Sequence, residues 1–249
     1  MSLFSNLTTD TSIKNETDSV GGNTVLESGL YPATVTMAYG IRSEGGATGL
    51  VLQAKTDQGN DIRQTLWMTS GTAKGGQNFY TDKSGTKQYL PGFIAANALA
   101  LLTTGKEISE LDMETKVVNV YNKDAKAEVP TKVEVPVDLL GKEILIGVIK
   151  QTVDKTLKND AGVYMATGET RDENEIDKFF RASDRKTTAE IRAQAEEATF
   201  ATTWEQKWTG KSKDKSTKGA GVTGVPKAGF SGAAANARAM KKPPTSLFA

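Results

Sequence analysis

Residues 29–69 read GLYPATVTMAYGIRSEGGATGLVLQAKTDQGNDIRQTLWMT, and their apolar side chains tend to recur at every second position. A period of two is typical of half-buried β-strands. It predicts strands at Leu30–Arg42, Gly49–Thr56 and Asp61–Thr69, joined by the turn sequences SEGGAT and DQGN. Because these strands are separated by short turns, they favour an antiparallel meander.

The same alternation assigns side chains to the two faces of the sheet. In the first strand, one face is expected to carry the apolar residues Tyr31, Ala33, Val35, Met37, Tyr39 and Ile41. In the second, Leu50, Leu52 and Ala54 oppose Val51, Gln53 and Lys55. In the third, Ile62, Leu66 and Met68 oppose Arg63, Thr65 and Trp67, so a cation and an indole share the outer face.

The rest of the chain adds one helix to this sheet before further strands. Phe93–Thr104 is rich in Ala and Leu and is followed by Gly105, which is typical of a helix and its C-terminal stop. Lys116–Asn122 and Thr131–Val137 are expected to pair. Glu143–Lys155 is apolar on both faces and is expected to be central, with Val163–Ala166 as its return strand.

Helical spacing then predicts helices in Asp172–Ser183 and Thr187–Phe200. We interpret the stripe of Phe200, Trp204 and Trp208 as the packing face of a last helix. The predicted fold class is mainly β with accessory helices: an OB-like antiparallel barrel with one inserted helix, C-terminal helices and a flexible tail. The predicted boundaries are a flexible arm at 1–28, the barrel domain at 29–170, a helical extension at 171–208 and a basic flexible tail at 209–249.

Composition excludes several classes of enzyme. The chain of 249 residues has no cysteine and no histidine, which removes thiol nucleophiles, Ser-His-Asp triads and zinc sites built on these ligands. The carboxylate clusters Asp57/Asp61, Asp112/Glu114 and Asp172/Glu173/Glu175 are interpreted as solvated or helix-start charges. The GTAKGG sequence from Gly71 lacks the Gly-Lys-Ser/Thr of a phosphate-binding loop. We therefore expect no enzyme activity, cofactor, metal or small-molecule substrate.

The segment Ser70–Gly92 is the strongest candidate for a binding site. It is rich in glycine and combines lysines with aromatic rings, and single-stranded nucleic acid needs both cations for phosphates and flat faces for bases. The alternative is a solvated loop whose rings pack onto the barrel. The residues expected to bind DNA are Arg63, Trp67, Lys74, Phe79, Tyr80, Lys83, Lys87 and Tyr89, with Lys55 and Lys150 extending the groove.

Charge is unevenly distributed along the chain. The total is +1, but Glu205–Ala249 holds nine basic and two acidic residues, whereas Met1–Trp204 holds 22 basic and 28 acidic ones. The basic tail can touch DNA or contact replication or transcription proteins. The residues expected to bind such a partner are Lys241, Lys242, Leu247 and Phe248. No run approaches the ~20 apolar residues of a membrane helix, so we expect a soluble protein without a membrane partner.

Several sequence blocks, taken in order, resemble the single-stranded DNA-binding proteins of tailed bacteriophages. These blocks are GLYPATV from Gly29, SEGGATGLVLQAKTDQG from Ser43, QYLPGF from Gln88, LLTTGKEISELDMET from Leu101, LLGKEILIGVIKQTVDK from Leu139 and NEIDKFF from Asn174. They lie within residues 25–185. The resemblance implies an OB-fold, binding of single-stranded DNA without sequence preference, and a role in DNA replication, recombination or repair in the cytoplasm of the host cell.

The C-terminal sequence differs from that of the family, and the fold class also fits a second function. Many members of that family end in an acidic tail with a terminal aromatic, whereas this chain ends in AMKKPPTSLFA. The alternative function is that of a phage structural, assembly or interaction protein built on a small β-domain.

Overall fold

The computed structural model describes residues 25–122, 125–159 and 164–217. The strands in these residues are β1 Gly29–Arg42, β2 Thr48–Thr56, β3 Asp61–Trp67, β4 Phe79–Thr81, β5 Lys87–Tyr89, β6 Met113–Asn122, β7 Ala127–Pro136, β8 Glu143–Lys158, β9 Tyr164–Phe180 and β10 Ser212–Asp214. The α-helices are α1 Pro91–Thr104, α2 Thr188–Arg192 and α3 Thr199–Trp208.

The main sheet has the order β3-β2-β1-β8-β9, and every neighbouring pair in it is antiparallel. Strand β10 pairs in parallel with β8, at the edge of β8 beyond the end of β1. Strands β4-β5 and β6-β7 form separate hairpins. The predicted antiparallel meander, the strand pair β6-β7 and the helix before β8 are confirmed, as is the mainly β class.

The two outer strands of this order, β3 and β9, are linked by one side chain. The amide nitrogen of Gln64 donates to the carbonyl of Ile176 at 3.1 Å, and the Ile176 amide donates to the Gln64 oxygen at 2.6 Å. This pair of bonds imitates the exchange between two backbones in a ladder. The sheet therefore curves around a core to which β1, β2, β3, β8, β9 and α1 all contribute.

Helix α1 covers this core and ends as predicted at Gly105, whose φ of 76° is in the left-handed region. Its first turn lies against the end of β3. A Cβ at position 92 would lie 2.1 Å from the carbonyl oxygen of Trp67, so only glycine allows the helix to approach this closely.

We expect Gly92→Ala to lower the free energy of unfolding by about 1–3 kcal/mol, the usual cost of overpacking, although alanine is the better helix former. The measurement is urea denaturation followed by circular dichroism. Gly45→Ala is the matched control, since the nearest atom to a Cβ there is 3.9 Å away. Equal stability of the two variants would contradict the close approach.

The predicted face assignment of the first strand is wrong beyond residue 36. The register of β1 against β2 shifts between Val35 and Met37, which is a β-bulge. Each bulge adds one residue to a strand and so reverses the faces that follow. As a result Val35 and Ala38 lie in the main core, while Met37 and Tyr39 pack on the opposite face with residues of β6 and β7.

The predicted helix over Asp172–Ser183 is also wrong, because β9 continues to Phe180 and pairs with β8 throughout. The apolar spacing of Ile176, Phe179 and Phe180 resembles a helix because the register shifts by one residue opposite Gly147/Val148. Ile176 and Phe179 therefore enter the main core, and Phe180 packs beneath α3. Pairing with a long apolar strand overrides local propensity here.

The C-terminal helices are shorter than predicted. The continuous helix expected over 187–200 is replaced by α2 and α3, with Gln194 between them at a φ of 53°. The predicted packing face of α3 is confirmed for two of its three residues: Trp204 is buried against Gly147 and Phe180, and Trp208 is half-buried beside it. Phe200 is 39% exposed.

Two predicted flexible segments are docked where the structure describes them. Residues 212–214 form β10, so the chain is ordered against β8 beyond the predicted start of the tail at 209. At the other end Leu26 is buried and exchanges two 2.8 Å hydrogen bonds with the Asn174 side chain. The sequence did not predict either contact, because hydrogen bonds made by the backbone leave no pattern of apolar residues along the chain.

Candidate nucleic-acid interface

A cavity of about 640 Å³ lies where β3 ends. Four of the residues predicted to bind DNA line it: Trp67, Lys74, Phe79 and Tyr80. Its walls also include the first turn of α1 and residues 175–177 of β9. The structure therefore brings the end of β3 and the glycine-rich segment, which were predicted to belong to one candidate site, to one concave surface.

Trp67 is held flat against the sheet by a glycine on the neighbouring strand. Gly49 is its register partner on β2, and a Cβ there would lie 2.9 Å from Cε3 of the indole. The side chain is half-buried, and Trp67 is one of the residues that line the cavity. A ring fixed in this way is preorganised for stacking, because little side-chain entropy remains to be lost.

The loop that carries Lys74 is built around the buried Ser70 hydroxyl. This hydroxyl accepts from the Gln77 amide at 3.0 Å and donates to the Lys74 carbonyl at 3.2 Å. The Thr72 amide donates to the Gly45 carbonyl at 2.8 Å, which ties the loop to the β1-β2 turn. The backbone of this loop is therefore fixed, and it places Lys74 at the wall of the cavity.

The β4-β5 hairpin supplies the remaining aromatic residues. Phe79 and Tyr80 line the cavity, and Lys87 lies with its Nζ 4.7 Å above the Phe79 ring. Tyr89 lies opposite Phe79 and its ring centroid is 5.1 Å from that of Phe93. Tyr80 and Tyr89 remain 48% and 58% exposed, which leaves ring surface for a ligand.

Lys83 lies in the turn of this hairpin, outside the cavity lining. Asp82 closes the turn by accepting from the Ser84 amide and hydroxyl and from the Thr86 amide. The hydrogen bond from the Ser84 hydroxyl, more than any other, holds the pKa of Asp82 below its usual range. The turn is consequently stable while its carboxylate is ionised.

Arg63 and Lys55 lie on the outer face of β3 and β2, away from this cavity. The Arg63 guanidinium donates to the hydroxyl of the buried Tyr39 at 2.7 Å and borders a second cavity of about 540 Å³ beside Asp172 and Glu173. Lys55 is exposed opposite Asp61. Neither cation lines the first cavity, and an acidic residue lies beside each of them.

Lys150 is not brought to the cavity. Its ammonium lies 2.7 Å from Glu27 and 3.8 Å from Asp172. The hydrogen bond to Glu27 is the main reason that the pKa of Lys150 is raised. Its contacts tie the N-terminal segment to the sheet, and this placement gives it a structural role.

Sequence reasoning missed the part of the cavity wall that comes from β9. Glu175 and Asp177 line the cavity, and they were assigned to the start of a helix. The first turn of α1 was also missed, because the helix was predicted to begin at Phe93. Pro91 is typical of the first position of a helix and is the signal that would have moved this start to Pro91. No local signal in the sequence places 175–177 beside β3.

The predicted partner-binding residues Lys241, Lys242, Leu247 and Phe248 lie outside the described residues. Within the described part of the chain, no group of three or more acidic side chains is arranged to hold a metal ion. No helix there is long and apolar enough to cross a membrane. Comparisons with known protein families and with curated proteins find no match.

Proposed function

We propose that the protein binds single-stranded DNA without sequence preference and is not an enzyme. The observation that carries this proposal is the convergence of Trp67, Phe79 and Tyr80 with Lys74 on one cavity. Rings and cations at one concave surface match what a single strand offers, since each base has a π-face and each phosphate a charge. Such binding protects and organises single strands in phage replication, recombination or repair.

The topology supports the same proposal. The order β3-β2-β1-β8-β9, with α1 between β3 and β8 and the Gln64 link between β3 and β9, supports our inference of an OB-like barrel. OB-folds bind oligonucleotides on the face of their second and third strands and on adjacent loops. Trp67, Arg63 and Lys55 lie on the corresponding outer face of β2 and β3.

The experiment is an anisotropy titration of a labelled single-stranded oligonucleotide, with a duplex of the same sequence as competitor. We expect saturable binding to the single strand and weak competition by the duplex, whose stacked bases cannot reach the rings. Absence of binding at low salt would refute the proposal and leave an assembly or interaction protein as the alternative.

We expect Lys74→Ala to reduce the dependence of affinity on salt. Each lysine–phosphate contact contributes roughly 0.7 to the slope of log K against log salt for a single strand, so the slope should fall by about that amount. The measurement is the same titration at several salt concentrations. Lys132→Ala is the matched control, because Lys132 is exposed on β7 and does not line the cavity. Identical slopes for the two variants would exclude Lys74 as a phosphate contact.

A further inference from the structure

Two acidic residues line the cavity, Glu175 and Asp177, and the carboxylate of each is bound by a residue from the C-terminal segment. The Lys215 ammonium lies 2.8 Å from Glu175, and the Trp204 indole donates to Asp177 at 2.8 Å. Both acceptors are on β9 and both line the cavity. Lys215 lies in the segment that was predicted to be a flexible tail, and this segment therefore contributes a positive charge beside the site.

The backbone around Lys215 is fixed to β8. Its amide donates to the Thr152 carbonyl at 2.9 Å, directly after β10. Two residues later, the Thr217 amide lies 3.0 Å from an Asp154 carboxylate oxygen. Lys215 is thus anchored on both sides, and its side chain extends to Glu175 from a defined position.

The Lys215–Glu175 pair is only partly open to solvent. The side chains are 29% and 19% exposed, so solvent screens their charges less than it screens fully exposed ones. An unpaired carboxylate at this position would repel a phosphodiester chain that enters the cavity. The lysine removes that repulsion by neutralising the acid.

We propose that Lys215 is a positioning residue of the nucleic-acid site, which neutralises Glu175 and so allows the cavity to accept an anionic strand. This inference rests on the proposed binding of single-stranded DNA. Lys215 acts by neutralising Glu175, so the loss of the lysine brings the affinity below that of the wild type only while the carboxylate is present.

The experiment compares three variants in titrations with a single-stranded oligonucleotide. Lys215→Met leaves Glu175 charged and unpaired, and we expect it to bind about three- to tenfold more weakly at low salt, as one uncompensated charge close to a phosphate requires. Glu175→Gln should bind more tightly than the wild type. The double variant Glu175→Gln/Lys215→Met should return close to wild-type affinity.

Lys211→Met is the matched control, since Lys211 is exposed and forms no ion pair within the described residues. Removal of either lysine lowers the net charge equally, but only Lys215→Met should bind more weakly than the wild type. The slope of log K against log salt should become smaller in Lys215→Met and recover in the double variant. A loss of stability alone would not produce this recovery. Unfolding midpoints of all variants establish that each is folded.

Two negative results have different meanings. If the wild type binds the oligonucleotide and Lys215→Met behaves like Lys211→Met, or the double variant is not rescued, the role of Lys215 is refuted. If the wild type does not bind at any salt concentration, the proposed function itself fails.

Discussion

Replacing Trp67 or Tyr80 with alanine is expected to weaken binding of single-stranded DNA by about 1–3 kcal/mol each, the cost of losing a ring that stacks on a base. This corresponds to a loss of affinity of about 5- to 150-fold. Both residues line the same cavity, and the Trp67 indole packs against Gly49. The measurement is anisotropy of a labelled oligonucleotide, which does not depend on tryptophan emission.

The two variants test the prediction in different ways. Trp67 is half-buried, so its removal can also lower stability, whereas Tyr80 is 48% exposed and its removal leaves the core intact. Tyr121→Ala is the control for Tyr80→Ala, because Tyr121 is 54% exposed on β6 and does not line the cavity. If Tyr80→Ala and Tyr121→Ala bind DNA equally well, Tyr80 does not stack on a base.

Trp204→Ala is expected to have the largest effect on stability. Trp204 is 3% exposed, packs over Gly147 and lies edge-on to Phe180. Truncation of a buried tryptophan costs about 3–5 kcal/mol through lost burial and the cavity left behind. The change also leaves the Asp177 carboxylate without its indole donor. Urea denaturation gives the free energy of unfolding directly.

Trp208→Ala serves as the comparison for this variant. Trp208 is on the same helix but only half-buried, so its loss should cost clearly less. A loss of less than about 1 kcal/mol for Trp204→Ala, the average for any point mutation, would show that α3 does not stabilise the sheet.

The first three strands could be predicted from the sequence because each follows period-two alternation between recognisable turns. Their boundaries agree with β1, β2 and β3 to within two residues, and the core positions Leu50, Leu52, Ile62 and Leu66 are correct. The helix α1 was predicted for an equally local reason, since Gly105 stops it. Local patterns of this kind are read reliably without knowledge of tertiary contacts.

The bulges could not be predicted in the same way. One extra residue near Val35 reverses the faces of Met37 and Tyr39, and one extra residue in β9 makes Ile176 and Phe179 resemble a helix. A bulge depends on which residue of the partner strand lies opposite. That information is in the pairing and not in the order of apolar residues along one strand.

Only the part of the candidate site that is formed by residues close in sequence could be predicted. Trp67, Lys74, Phe79 and Tyr80 are close in sequence and also meet at the cavity. Lys150 was predicted to extend the same groove, yet it is paired with Glu27 from the N-terminal segment. Contacts between distant parts of the chain decide which cations face a ligand and which are neutralised.

The most direct test of the account is the emission of Trp67 during titration with oligo-dT. Trp204 is buried between α3 and the sheet and Trp208 packs beside it, so Trp67 is the tryptophan placed to respond to a strand in the cavity. We predict that oligo-dT quenches the emission of the wild type and that Trp67→Phe loses this quenching while still binding the strand. Emission that does not change when the wild type binds oligo-dT, or quenching that persists in Trp67→Phe, would contradict binding at this cavity.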